Sequence, residues 1–373
     1  MVKVKEFAKR EIVMLVSLVL AVISLFFVKP GPEYAGYIDC RTLGILLSLM
    51  LVVAGLRGLG VFAVIGQMLI DKTRTARGLA LVFVLLNFFL SMVITNDVAL
   101  LTFVPFVMEV LVMSHLEKYT IPVVVLETIA ANLGSMLTPI GNPHNLYLYS
   151  THDMSMMDFV RVTLPYSMVS LLFLVIATAA LIGAEPTGTE SRNRGQKRDK
   201  KWMVQLVGYL LLFAACMLTV LRVVPYLVTL GIVIAGIACM DRGTLKKADY
   251  CLLFTFVFLF VFVGNLARIP AISQGLMNLT RGNEVLVAVG TSQVISNVPA
   301  TVLLAGFTDN ISDLIIGVNI GGLGTLIASM ASLISFKCYC RDENSRAGRY
   351  IGIFTLLNLV FLAVLLGLYY IIR

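Results

Sequence analysis

Two short polar breaks interrupt long apolar stretches of this chain: Thr95-Asn96-Asp97 within residues 78–113, and Ser296-Asn297-Val298 within 284–307. Backbone polar groups must be paired in hydrocarbon, so a broken helix survives there only where it lines a cavity or the protein interior. A break leaves free N–H groups at one half-helix and free C=O groups at the other, setting an anion site beside a cation site. Asn96 and Asn297 each bring a donor and an acceptor, and Thr95 and Ser296 add hydroxyls. A glycine-rich segment follows each break, ANLGSMLTPIGNPHN (131–145) and GVNIGGLGTLIASMAS (317–332). Gly134, Gly141, Gly321, Gly322 and Gly324 would let backbone approach a ligand closely. One such glycine is as well explained by tight helix packing; two clusters, each downstream of an Asn-containing break, favour a site. Three acids, Asp97, Glu109 and Glu127, fall in apolar segments, where a charge is costly and points to a cation or proton path. For Glu109 and Glu127 a basic partner near the cytoplasmic face is the alternative. His144 is either a proton carrier or a structural residue at a Pro-rich bend.

The elements that must position these residues are apolar segments of roughly 20 residues separated by basic loops, which mark the cytoplasmic side. Residues 11–28 leave a basic N-terminus (Lys3, Lys5, Lys9, Arg10), which is placed in the cytoplasm, and 42–58 return toward Lys72, Arg74 and Arg77. The stretch 78–113 begins and ends on that same side, the far loop carrying His115 and Lys118, and is read as a re-entrant hairpin; two ordinary spans with an external turn at Thr95 are the alternative. A broken helix over 120–148 and a span over 159–183 complete a first repeat, 1–183. The linker 184–201 holds Arg192, Arg194, Lys197, Arg198, Lys200 and Lys201. The second repeat, 202–373, has an extra span at 203–220, spans at 225–240 and 250–267, a hairpin at 284–307, a broken helix at 314–335 and a span at 349–371. Because of the extra span this repeat starts from the opposite face, so the repeats are inverted. The expected fold is an all-α polytopic membrane protein with about nine spans, two re-entrant hairpins and broken helices. Inverted repeats with interrupted helices point to a secondary transporter with a site at the bilayer midplane.

Composition supports this. Of 373 residues, 59% are hydrophobic and 13% charged, where a soluble domain carries about 25% charged residues, and the mean hydropathy is +0.93. The lipid bilayer must solvate most of this surface. The net charge of +8 lies in short loops, as expected of cytoplasmic loops and not of nucleic-acid binding. No HExxH, GxGD or facing Ser/His pair suggests an enzyme, no P-loop suggests ATP, and the six cysteines include only one C-x-C, so neither a metal site nor a cofactor is expected.

TNDVALLTFVP (95–105), ANLGSMLTPIGNPHN and SNVPATVLL (296–304) resemble, in order, the first Ser-Asn-Thr motif, the glycine-rich motif and the second Ser-Asn-Thr motif of the divalent anion/sodium symporters. The chain is thereby similar to the ion transporter superfamily that also includes citrate transporters, arsenite permeases and some sodium/proton antiporters. The resemblance implies an elevator-type homodimer in the cell membrane carrying a small anion, a carboxylate or an inorganic oxyanion, with Na+ or H+. Substrate contacts are then expected at Thr95, Asn96, Asp97, Asn142, Pro143, Ser296, Asn297, Val298 and Thr325, and cation contacts at Asn96, Asp97, Gly134, Gly141, Asn297, Asn319 and Gly322. Asp97 replaces a threonine of the symporters, Val298 removes a hydroxyl, and Ser329-Met330-Ala331-Ser332 replaces Pro-Pro-Asn. The Asn-Asp pair is closer to arsenite permeases and antiporters, which keeps a cation/proton antiporter or arsenite-type permease as the second function.

Overall fold

The computed structural model describes residues 12–61, 64, 73–186, 200–340 and 345–373. Lys3, Lys5, Lys9, Arg10, Lys72, Arg192, Arg194, Lys197, Arg198 and Arg341 lie outside the described residues, and with them most of the expected linker. The described part is built of helices. Those of the first repeat are α1 (Ile12–Phe27), α2 (Cys40–Gly58), α3 (Ala76–Ile94), α4 (Asn96–Met113), α5 (Thr120–Ser135), α6 (Pro143–Thr151) and α7 (Met156–Leu181). Then follow α8 (Lys200–Val220), α9 (Tyr226–Met240), α10 (Tyr250–Ala267), α11 (Pro270–Thr280), α12 (Glu284–Ile295), α13 (Asn297–Ala305), α14 (Ile311–Ile320), α15 (Met330–Tyr339) and α16 (Ala347–Ile372).

Among the described residues, seven helices are long and apolar enough to cross a membrane: α2, α3, α4, α7, α8, α10 and α16. Their outward faces carry Leu172 on α7, Val204 and Leu211 on α8 and Leu356 on α16 exposed, while asparagines and serines are buried inside; such a surface requires lipid around it. Of the nine or so expected spans, α2, α7, α8, α10 and α16 are these long helices. α1 and α9 are shorter, with 16 and 15 residues, and two are the broken pairs α5/α6 and α14/α15. The arms of the two interrupted stretches differ in reach. α12 and α13, 12 and 9 residues, extend roughly 18 and 14 Å, too little to cross a core of roughly 30 Å. α3 and α4, 19 and 18 residues, extend roughly 28 and 27 Å.

The helix ends follow local chemistry. Thr75 caps α3 by accepting from the Gly78 N–H at 3.1 Å, and Asp249 caps α10 by accepting from the Leu252 N–H at 3.0 Å; each satisfies one orphan donor of a first turn. α6 starts on Pro143 and α11 on Pro270, where a missing N–H costs nothing.

Packing comes in corresponding pairs. α3 packs on α5, and α12 on α14; α1 packs on α10, and α2 on α9; α4 packs on α15, and α13 on α6. In the last two correspondences the contact crosses from one repeat to the other. The helices α1, α2, α8, α9 and α10 pack largely on one another, and the interrupted helices with α7 and α16 make a second group.

Candidate functional site

Both breaks have the same backbone. Thr95 has φ 71° and ψ 147°, Ser296 has φ 72° and ψ 153°, and each ends one helix and begins the next. Positive φ in a residue with a side chain costs on the order of 1–3 kcal/mol, so surrounding contacts must hold the turns. Those contacts correspond when Asn132 is aligned with Asn319, Gly134 with Gly321, Thr138 with Thr325 and Asn145 with Ser332. The Thr138 hydroxyl donates to the Met92 carbonyl, and the Thr325 hydroxyl to that of Gln293 at 3.4 Å. A Cβ on Gly134 would fall 2.7 Å from the Ser91 hydroxyl and one on Gly321 2.8 Å from that of Ser292.

Two asparagine networks join the repeats. Asn96 Nδ2 donates to Asn132 Oδ1 at 3.0 Å, the Ser329 hydroxyl donates to that same oxygen at 3.0 Å, and Asn132 Nδ2 donates to Ser332 at 3.4 Å. On the other side Asn319 and Asn145 exchange amide bonds at 2.7 and 3.1 Å, with His144 Nε2 at 3.3 Å from Asn319 Oδ1. All of these residues are buried. His144 therefore belongs to a network and does not stand alone at its bend.

The first tip opens onto a cavity of about 480 Å³. Thr95 and Asp97 line it from α4, Pro143 from α6, Met330 from α15, Arg57 from α2, and Lys247 and Asp249 from the turn before α10. The N-termini of three half-helices thus share this space with two cations and two acids. Asn96 Oδ1 accepts from the Asp97 N–H at 2.9 Å, which holds the Asn96 side chain against the start of α4. Arg57 donates to the Leu101 carbonyl at 3.3 Å, and Lys247 lies 3.8 Å from Asp241.

The second tip is covered. Ser296, Asn297 and Val298 are buried, and the Asn297 N–H donates to the Ala328 carbonyl at 2.9 Å. Gln293 Nε2 donates to the Gly321 and Leu323 carbonyls at 2.9 and 2.8 Å, and Gln293 Oε1 accepts from the Thr325 N–H at 2.9 Å. Thr325 itself is exposed on the unwound loop. Asn142 is buried at the N-cap of α6 without a side-chain cap bond.

The glycines are placed by contact. A Cβ on Gly134 would fall 2.1 Å from the Phe88 carbonyl oxygen, and one on Gly141 2.4 Å from that of Ser135, while one on Gly322 would lie 3.0 Å from Asn297 Nδ2. Gly134 and Gly141 bring the first hairpin against its broken helix; Gly322 lies beside the second tip. Of the remaining acids, Glu109 is exposed, and Glu127 is buried with Asn87, without an ion pair among the described residues. Asn132, Asn145, Gln293, Arg57 and Lys247 were not among the expected site residues. For the asparagines the signal is present in the sequence: NLG at 132–134 and NIG at 319–321 sit at equal distances before Thr138 and Thr325.

A polytopic chain, helical throughout its described spans, whose interrupted helices meet at a largely apolar cavity carrying four charged side chains has the structure of a membrane transporter. The family model described as CitMHS, citrate transporter, matches residues 3–331, and the chain belongs to this family. It is similar to the inner membrane protein YbiR of Escherichia coli (strain K12), 34% identical over 319 residues, 84% of this chain and 83% of that one. It is also similar to the uncharacterized transporter MJ0456 of Methanocaldococcus jannaschii, 32% identical over 361 residues, 95% of this chain and 96% of that one. A shorter match, 29% identical over 141 residues, 38% of this chain and 29% of the relative, is to the silicon efflux transporter LSI3 of Oryza sativa subsp. japonica.

Proposed function

We propose that this citrate-transporter-type protein is a secondary active transporter of a small anion, a carboxylate or an inorganic oxyanion, driven by Na+ or H+. The observation that carries the reading is the cavity where the N-termini of α4, α6 and α15 meet Arg57 and Lys247. Helix N-termini and cations favour an anion there. Asp249 opposes it but is held as the cap of α10; Asp97 opposes it unless a proton or metal ion neutralises the carboxylate, and that opposition is the physical basis of coupling. The exchanged packing and the matched tips favour two inverted repeats, 1–183 and 202–373; the short arms α12 and α13 favour a re-entrant second tip, and the buried bond of Asn96 to Asn132 favours the same for the first, although its arms α3 and α4 are long enough to span. The separation into two helix groups with the cavity between them favours an elevator motion of the interrupted group against α1, α2, α8, α9 and α10. A homodimer in the cell membrane, N-terminus cytoplasmic, follows from the resemblance and the basic loops. Asp97 also supports a second reading, a cation/proton antiporter or arsenite-type permease on the same scaffold.

Purified protein screened for thermal stabilisation by citrate, other carboxylates, sulfate, phosphate, arsenite, silicic acid, sodium and lithium across pH tests the choice. An anion that stabilises the protein and is accumulated by proteoliposomes supports the first reading. Stabilisation by cations alone, with cation-driven proton movement, replaces it with the second.

A further inference from the structure

A second buried acid lies away from both tips. Glu127 is in the middle of α5 and has no exposed surface. Its Oε1 accepts from Asn87 Nδ2 at 3.1 Å, and the same amide nitrogen donates to the Phe83 carbonyl at 3.1 Å. The Phe83 carbonyl fixes the amide, since turning it over would set two acceptor oxygens against each other. Both hydrogens of Asn87 Nδ2 are then used, and Glu127 Oε2 and Asn87 Oδ1 remain buried with no partner.

Among the described residues the elements packed on α5 supply no counter-charge to Glu127. α3 contributes Asn87 and, at its start, Arg77, which donates to the Ile182 carbonyl at 3.0 Å; the turn before α5 holds Glu117, exposed, and Lys118, paired with Glu185 at 2.7 Å. α16 contributes Tyr350, which lies beside Thr128 and Glu127 and within electrostatic range of Cys338 and Cys340, while its Arg349 is exposed. On α4 Glu109 is exposed, and on α7 Asp158 and Arg161 pair with each other at the surface. On α14 Asp313 is taken by Arg373 and Tyr369, and on α15 Lys337 is exposed.

An ionised carboxylate in this place would have one amide hydrogen bond and no cation, far less than its lost hydration requires. A metal ion is a poor substitute, because it needs several oxygens and would meet the N–H of Asn87 beside the carboxylate. A proton fits: it neutralises Oε2 and turns it into a donor, and Asn87 Oδ1 is the free acceptor nearby. We propose that Glu127 is a proton-binding site in the membrane interior, with Asn87 as its positioning residue. The carboxylate takes a proton at Oε2 and returns it to water, and no other bond changes. The site is two turns, roughly 10 Å, from the start of α5, close enough to that end to exchange with water when the helix group moves. As the proton-carrying partner of the cavity, Glu127 rests on the transport reading above; as a protonation site it stands by itself.

The test is infrared spectroscopy of the purified full chain. At mildly acidic pH the protein should show a neutral carboxyl band that shifts in D2O, disappears reversibly as pH is raised, and is missing from Glu127→Gln. Asn87→Leu should keep the band and move it, because the amide hydrogen bond is lost. If Glu127→Gln does not fold, Glu127→Asp, with its displaced carboxyl, replaces it and should shift the band. A spectrum identical in wild type and variants, or a band that ignores both D2O and pH, overturns the site. In proteoliposomes, Glu127→Gln should flatten the pH dependence of uptake of whichever anion the screen identifies. The band present without any anion binding overturns the anion reading alone; anion binding without the band overturns Glu127 alone.

Discussion

Met92 and Gln293 stand at corresponding places, a few residues before breaks of the same geometry, yet they leave the two tips in different conditions. At the second tip, Gln293 laces the turn to the unwound loop through Gly321, Leu323 and Thr325, and Ser296 is buried. At the first tip, the methionine side chain has no such bonds to give. The Thr138 hydroxyl bond to the Met92 carbonyl remains, and Thr95 and Asp97 face the cavity. One turn, built twice, is thus a clasped element on one side and a cavity wall on the other; the difference lies in side chains around the turn, not in its backbone.

Four predictions break or sharpen this comparison. The largest effect is expected from the aligned glycines. A Cβ on Gly134 meets the Phe88 carbonyl oxygen at 2.1 Å, whereas on Gly321 the nearest atom is the Gly317 carbonyl oxygen at 2.7 Å. Gly134→Ala should cost above about 4 kcal/mol and yield little folded protein, with Gly321→Ala affected less; detergent-solubilised yield and melting temperature measure both. Equal losses would mean the two hairpins are packed alike. Next, Asn319→Ala removes the paired amide bonds with Asn145 and strands His144, a loss of about 2–4 kcal/mol with transport abolished. Denaturant unfolding in detergent should rank it above Asn132→Ala, whose bond to Ser332 is long, at 3.4 Å.

Third, Gln293→Met gives the second tip the residue of the first and should cost about 2 kcal/mol. In a background without the six native cysteines, Thr95→Cys should react quickly with a membrane-impermeant thiol reagent that can enter the cavity, and Ser296→Cys slowly. Adding Gln293→Met should speed the second and leave the first unchanged. Fast labelling at Ser296→Cys without that change would contradict the clasp. The smallest effect on stability, under about 1 kcal/mol, is expected for Asp97→Asn, since Asp97 makes no ion pair among the described residues. Its consequence is functional: transport that needs sodium or falls as pH rises should lose that dependence, and uptake that keeps it would make the carboxylate structural.

Much of this was legible before any coordinates. The breaks at Thr95 and Ser296, the helix order and the broken pairs follow from hydropathy, because apolar length and interruption are properties of consecutive residues. Helix ends were shifted only slightly, α7 running Met156–Leu181 where 159–183 was expected. What the sequence concealed depends on residues far apart in the chain. Gln293 reads as one polar residue in an apolar run, Arg57 as a charge at the end of the span over 42–58 and Lys247 as a loop charge, until α2 and the turn before α10 close on the first tip. The unequal arms are of the same kind: both stretches looked like hairpins, although α3 and α4 are each about twice as long as α13.

The asparagine networks carry a consequence for assembly. Each one is completed by a donor or acceptor from the other repeat, Asn132 by Ser329 and Ser332, and Asn319 by His144 and Asn145. Neither half can therefore satisfy its own buried amides, and unsatisfied amides in hydrocarbon are strongly disfavoured. Cut between residues 187 and 199, the chain should yield two fragments that are degraded when made singly and accumulate as a stable pair when co-expressed. On that view the repeats mature as interdependent partners, and the two networks are not both complete until Ser332 at the start of α15 has been synthesised.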